Sequence, residues 1–306
     1  MRMQFLHDVY WKLYNFRWES YAKIAPKAAT KSWYKMRNGS PLDLDNPKRF
    51  TEKLQYFKLN DYFRNPLITM CADKFAVRKY LEQKGCSELA NELIGVYDSV
   101  DEIDWGGVPD KFVLKCNHGS GWNIVCTDIT SFDIEEAKKK LSAWMAKDYG
   151  LDHVEYSYQG IPHKIICEKF IETEDGDLPK DYKIFCSYGD PKFFYVTGDR
   201  HGCDVTIDFY TPDWKPIPVN LNGFKNSPNP IPYPKDLPQL LKYASILSED
   251  FPFVRVDLYC EFGKVIFGEL TFLPTGGTFK FVPPEYDEIF GEMFPLTKPE
   301  GMGGEK

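Results

Sequence analysis

Residues 112–126 read FVLKCNHGSGWNIVC: two apolar runs around a polar turn, with Lys115 near the end of the first run. Each run predicts a short strand, so the stretch predicts an antiparallel pair. A tight hairpin needs only a two-residue turn such as Asn-Gly. This turn is longer, and its two glycines, Gly119 and Gly121, leave several backbone N–H groups free to face a ligand. Two readings follow. The loop is an anion cradle with Lys115 facing the same charge, or it is a surface hairpin whose lysine runs its aliphatic stem out to water. A P-loop is excluded, because no Lys followed by Ser or Thr comes after the glycines.

Further strands extend on both sides, among them LIGVYDS, HKIICEKFI, YKIFCSYG, PKFFYVTGD, VTIDFYT, FVRVDLYC and KVIFGELTF. Helices are expected over residues 2–37, from Asn46-Pro47 through FTEKLQYFKL, over 73–83, 134–147 and 237–249, with a rigid proline-rich crossover at 228–238. Helices recurring between groups of strands predict an α+β fold with mixed or antiparallel sheets.

Several strands carry charges that a simple core would avoid. In FVRVDLY, period two places Arg255 and Asp257 on one face; in FGELTF it places Glu269 and Thr271 together. Unpaired buried carboxylates cost several kcal/mol. Asp257 and Glu269 therefore read either as oxygen ligands for Mg²⁺ beside substrate phosphates or as ion-pair partners of Arg255. DYKIFC puts Asp181 and Lys183 on one face, and GDRHGCDVT places Arg200 and His201 in a loop. Lys115, Lys183, Arg200 and Arg255 together would suit a triphosphate and a second anionic substrate.

The chain has 306 residues and a net charge of −7, which gives no support to nucleic-acid binding. Residues 1–37 hold eight Lys or Arg against two Asp or Glu, a net +6 that leaves −13 for the rest. That segment is rich in aromatics and reads as a helical arm packed on the body, or as a surface for an anionic membrane. The eight cysteines form no CxxC and sit in strand-like runs, which predicts free thiols and a cytoplasmic location, peripheral to a membrane at most.

The ordered segments NPKRFTEKLQYFKL, DKFAVRKYL, FVLKCNHGSGWNIV, ICEKFI, PKDYKIFC, FVRVDLY and FGELTFLPTGG resemble the ATP-grasp superfamily, in its branch similar to the teichuronopeptide biosynthesis protein TupA, over roughly residues 38–290. That resemblance implies a nucleotide bound between two sheet subdomains, with ATP and Mg²⁺ as cofactors. The expected divisions are a helical N-terminal region at 1–60, a first subdomain with the glycine-rich loop at 61–170, a second with the metal carboxylates at 171–290, and a tail at 291–306. Lys74 and Lys115 match the nucleotide-binding lysines, and Asn117, Gly119, Ser120, Gly121 and Trp122 belong to the loop over the phosphates. Glu168, Lys169, Phe170 and Ile171 match the adenine-reading segment. Glu174 is taken as the ribose acid, with Asp175 and Asp177 as alternatives. Lys183, Arg200 and Arg255 are the expected catalytic cations, and His118 either adjusts an amine proton or hydrogen-bonds within the loop. Asp257 and Glu269 match the metal carboxylates. Thr271 stands where many members carry Asn.

The resemblance further implies an amide-forming carboxylate–amine ligase that works through an acylphosphate. It would join an amino acid or peptide to a uronic-acid-containing cell-envelope or capsular glycan, near a membrane-bound carrier or the polysaccharide-synthesis machinery. A glycosyltransferase and a sugar or lipid kinase are the alternatives.

Overall fold

The computed structural model describes residues 18, 20–152, 154–173, 176, 178–198, 205–229 and 231–300. Within these, residues 20–24 are helical, and α1 (Pro26–Asn38), α2 (Phe50–Asn60), α3 (Pro66–Ala72) and α4 (Val77–Gln83) follow. A first antiparallel sheet follows, with strand order β1-β4-β2-β3, from β1 (Leu93–Tyr97), β2 (Phe112–Cys116), β3 (Asn123–Cys126) and β4 (Ile165–Lys169). Between β3 and β4 lie α5 (Ile134–Met145) and the single turn α6 (Tyr149–Asp152).

The second sheet is also antiparallel and has six strands: β5 (Asp181–Ser187), β6 (Asp190–Gly198), β7 (Thr206–Tyr210), β8 (Pro216–Ile217), β10 (Val254–Glu261) and β11 (Lys264–Thr271), in the order β11-β10-β5-β6-β7-β8. β9 (Asn220–Leu221) pairs with β12 (Phe281–Val282), and α7 (Leu237–Ser248) and α8 (Tyr286–Glu292) complete the chain. The architecture is α+β with antiparallel sheets, as the sequence pattern predicts, and has the two sheet subdomains behind helices that the resemblance implies. The expected division at 170/171 falls between β4 and β5.

Alternation along β5 and β10 sends Tyr182, Ile184, Val254, Val256 and Leu258 into a core shared with α7. The opposite face is divided. At one end, Phe50 of α2 meets the rings of Phe185, Phe193, Phe253, Phe279, Phe281 and Phe294 at centroid distances of 5.1–6.2 Å. Truncating such a buried Phe costs about 3–5 kcal/mol. At the other end the same face carries charge, and the site lies there.

Two helices differ from the sequence reading. α2 starts at Phe50 rather than at Asn46-Pro47, because the Glu52 carboxylate accepts the backbone N–H groups of Lys48 and Arg49 at 3.1 Å and fixes them outside the helix. α4 starts at Val77 rather than Asp73, since Asp73 Oδ1 caps the preceding turn by accepting from the N–H groups of Phe75 and Ala76. Residues 1–17 and 19 of the basic arm lie outside the described residues, as does Cys203; the seven described cysteines are free. No helix among the described residues is long and apolar enough to cross a membrane.

Candidate functional site

Register builds the charged face. Lys183 on β5 is paired with Asp257 on β10, and Asp257 with Glu269 on β11, so three charges form one row across three strands. Arg255 and Thr271 pair in the neighbouring row. A bulge follows Asp257 opposite Gly268, where a Cβ would lie 2.9 Å from the Asp257 carbonyl oxygen. Only glycine allows the strands this approach.

The row is closed by short ion pairs. Lys183 Nζ lies 2.6 Å from both Asp181 Oδ2 and Asp257 Oδ2. Arg255 donates from Nε to Asp257 Oδ1 and from Nη2 to Asp257 Oδ2, each at 2.6 Å, a bidentate fork. Its Nη2 also reaches Glu269 Oε1 at 3.2 Å and Thr271 Oγ1 at 3.0 Å, while the Thr271 hydroxyl donates to Glu269 Oε1 at 2.8 Å. Lys74 Nζ stands 3.8 Å from Glu269 Oε2 and donates to the Gly119 carbonyl at 2.5 Å, so it joins the glycine-rich loop to the second sheet.

Burial and pairing compete at each group. Burial pulls the Lys183 ammonium down, but Asp181 and Asp257 outweigh it and push it up. Burial raises the Asp257 carboxyl against the pull of Arg255 and Lys183. Burial also raises Glu269, yet Lys74, Arg255 and Lys183 hold it at about 2. Of the two sequence readings of Asp257 and Glu269, the ion pairs with Arg255 are present. The two carboxylates remain oxygen donors on adjacent strands.

On the first sheet, Lys115 Nζ lies 2.6 Å from Glu168 Oε2, and Arg78 Nη2 holds the other oxygen of Glu168 at 3.2 Å. The loop between β2 and β3 is braced by Asn117. Its amide donates to Asp73 Oδ1 and to the Pro162 carbonyl at 2.9 Å, and its Oδ1 accepts the Lys164 N–H at 2.7 Å. Ser120 and Gly121 stay exposed, Gly121 with φ +73°, while the Trp122 ring stacks on Trp144.

Some expected site residues stand apart. His118 is buried, stacked on His163 at 3.6 Å, with Nε2 3.3 Å from the Trp144 carbonyl and Nδ1 3.2 Å from Asn117 Oδ1. Burial and His163 push it down to about 4. His118 thus anchors the loop, and a neutral ring donates to only one of these two oxygens. Thr271 is engaged on both sides of its hydroxyl, by Glu269 and Arg255, and bridges them. Lys169 pairs with Glu92 at 3.0 Å in solvent. Phe170 and Ile171 follow β4, half-buried, with Lys111 over the Phe170 ring. Glu174, its alternatives Asp175 and Asp177, and Arg200 and His201 lie outside the described residues.

A cavity of about 720 Å³ opens beside the row and is lined by Arg255, Thr271 and Ser120 on that side. Its other walls come from Trp33 and Arg37 of α1, from Tyr149, Glu155 and Tyr158, and from residues 221–224 and 273–280. Sequence reasoning did not single out Glu155, Arg37 or Lys280. Glu155 sits in the aromatic run EYSY without a periodic signal, and Arg37 and Lys280 are exposed basic residues like many others.

Mg²⁺ binds through one or two carboxylates and otherwise through waters and substrate phosphates. Among the described residues no group of three His, Cys, Asp or Glu side chains could hold a metal alone. Asp257 and Glu269 fit this shared kind of site. Glu269 Oε2 meets Lys74 at only 3.8 Å, whereas Asp257 must exchange one cation contact for the metal.

A family model described as TupA-like ATPgrasp matches residues 52–295. Among curated proteins no sequence matches. Among solved structures, the D-alanine–D-alanine ligase from Bacillus anthracis complexed with ATP is 17% identical, with 67% of this chain and 55% of that chain covered and a TM-score of 0.39. The L-amino acid ligase from Bacillus licheniformis is 14% identical, with 87% and 58% covered and a TM-score of 0.44. The chain thus spans less than two thirds of either structure. By the family match over most of its length, the chain belongs to the TupA-like ATP-grasp family.

Proposed function

We propose that the protein is an ATP- and Mg²⁺-dependent carboxylate–amine ligase that joins an amino acid or peptide to a uronic-acid-containing cell-envelope or capsular glycan. The observation that carries the reading is the row Lys183–Asp257–Glu269, with Arg255 and Lys74 attached, at one end of a cavity large enough for a second substrate.

Carboxylate oxygen is a poor leaving group, so amide formation needs activation. In the proposed reaction the donor carboxylate takes the γ-phosphoryl group of ATP, ADP departs, and the amine displaces phosphate from the acyl carbon. Lys74 joins the loop between β2 and β3 to the second sheet, Lys115 sits on β2 at the start of that loop, and both take the nucleotide phosphates in this reading. Lys183 and Arg255 face the transferring group and offset its charge as it develops. Asp257 and Glu269 would hold Mg²⁺, which would supply positive charge to offset that of the substrate phosphates. The row holds three acids (Asp181, Asp257, Glu269) and three bases (Lys74, Lys183, Arg255), so before any ligand enters its charges balance.

The glycan side of the proposal is supported by the family and by the aromatic faces of Trp33 and Phe224 in the cavity wall, which suit sugar rings. The basic character of residues 1–37 favours work at a carrier in an anionic membrane. Calorimetry with a non-hydrolysable ATP analogue, with and without Mg²⁺, tests the nucleotide half. Incubation with ATP, glucuronate-containing glycan and amino acids tests the rest: ADP, phosphate and an amide-sized mass gain are expected. A stable phosphorylated sugar formed without any amine would make the protein a kinase. Sugar transfer from a nucleotide sugar without ATP cleavage would make it a glycosyltransferase.

A further inference from the structure

Glu155 is only 7% exposed, yet it lines the cavity, and among the described residues no hydrogen bond or ion pair reaches its carboxylate. The backbone holds it there. Its N–H donates to the Gly150 carbonyl at 2.7 Å, and its own carbonyl accepts from Tyr158 at 3.1 Å. Just before it, Val154 adopts φ +56°, a conformation that β-branched residues avoid. Across the cavity the turn at 274–277 leaves room: a Cβ on Gly276 would still be 3.9 Å from Glu155 Oε1.

A buried carboxylate that accepts no hydrogen bond is costly, and the buried Lys58 nearby offsets only part of that cost. Burial pushes Glu155 up to about 8, against the pull of Lys58 and Lys74 and with the push of Glu269; burial likewise pushes Lys58, on α2, down to about 7. Among the described residues lining the cavity, Glu155 is the one carboxylate, against Arg255 deep inside and Arg37 and Lys280 at exposed positions. The complementary ligand carries one ammonium and more than one carboxylate. An ammonium has no free electron pair, so it must lose a proton before it attacks, and a carboxyl titrating near neutrality suits that task.

We infer that the cavity is the acceptor site, that its ligand is a primary amine bearing carboxylates (an acidic α-amino acid or the N-terminus of an acidic peptide), and that Glu155 anchors the ammonium and accepts its proton. This rests on the ligase reading above. One N–H proton passes to a Glu155 oxygen, and the freed electron pair forms the C–N bond to the acyl carbon. The carbon–oxygen bond to phosphate breaks, and phosphate leaves with that pair. Arg37 and Lys280 receive the acceptor's carboxylates.

The test is calorimetry of wild type, E155Q and R37Q with L-glutamate and with glutarate, which lacks the ammonium, in the presence of Mg²⁺ and a non-hydrolysable ATP analogue. Wild type should bind L-glutamate at least tenfold more tightly than glutarate, and E155Q should lose that preference while binding glutarate as wild type does. R37Q, altered at an exposed position, should weaken both ligands together, and it decides the matter should E155Q fail to fold. The inference is overturned by equal L-glutamate affinity in wild type and E155Q, by no preference over glutarate, by no L-glutamate binding, or by an unchanged R37Q. Failure of folded wild type to bind the ATP analogue overturns the ligase reading instead, and the preference for L-glutamate is then judged on titrations without nucleotide.

Discussion

Replacing Lys183 with Met removes the cation that two buried carboxylates share while keeping most of the side-chain volume. Lys183 Nζ lies 2.6 Å from Asp181 and from Asp257, whose side chains are 3% and 2% exposed. Arg255 still holds Asp257, but the contact to Asp181 goes. Removing one partner of a buried pair costs about 3–5 kcal/mol. With an unfolding entropy of about 2.1 cal/mol/K per residue, the 306 residues give about 0.64 kcal/mol/K, so K183M should melt about 5–8 °C below wild type. Adding D181N removes one of the two carboxylates that Lys183 serves, and K183M/D181N should recover part of the loss. On the proposed reaction, ADP production should stay lost in both variants, because each lacks the cation assigned to the transferring group. The assay is a thermal melt beside ADP release under Mg-ATP. A K183M melting temperature within about 1 °C of wild type would refute the buried-pair argument, and turnover restored in the double variant would reduce Lys183 to a structural part.

K115A should cost only about 1 kcal/mol of stability, since Glu168 keeps Arg78 at 3.2 Å, yet ATP-analogue affinity should drop at least tenfold; normal affinity by calorimetry would make Lys115 a surface lysine. Glu269 is held at about 2 from an ordinary 4.5, so its stabilising contribution is present above the ordinary value and disappears as pH falls through that window. E269Q should therefore be less stable to urea than wild type at neutral pH, with the gap closing between about pH 4.5 and pH 2; parallel pH curves would show that the carboxylate gains nothing from Lys74 and Arg255.

Much of the site was legible because period two is a strict rule. Arg255 with Asp257, Glu269 with Thr271, and Asp181 with Lys183 each share a face by spacing alone, and the strands do place them so. What spacing cannot supply is cross-strand register, so whether Asp257 meets Arg255, Lys183 or a metal stayed open until the row was seen. His118 read ambiguously because its environment comes from His163 and Trp144, distant in sequence. α3 was missed, since PLITMCA is a short apolar run that neither length nor periodicity separates from a strand. Glu155 left no trace at all. Its burial depends on α2, on the turn at 274–277 and on a left-handed Val154, none of which a local pattern reveals.

The wall formed by Trp33 and Arg37 lies outside residues 52–295, the span shared with the family, while the row of charges lies wholly within it. Selection could therefore act on the two separately. Drift in α1 would reshape that wall of the chamber without touching the row of charges, and a chimera that grafts another member's leading helix onto this body would exchange the one wall while keeping the row, Glu155 and Lys280.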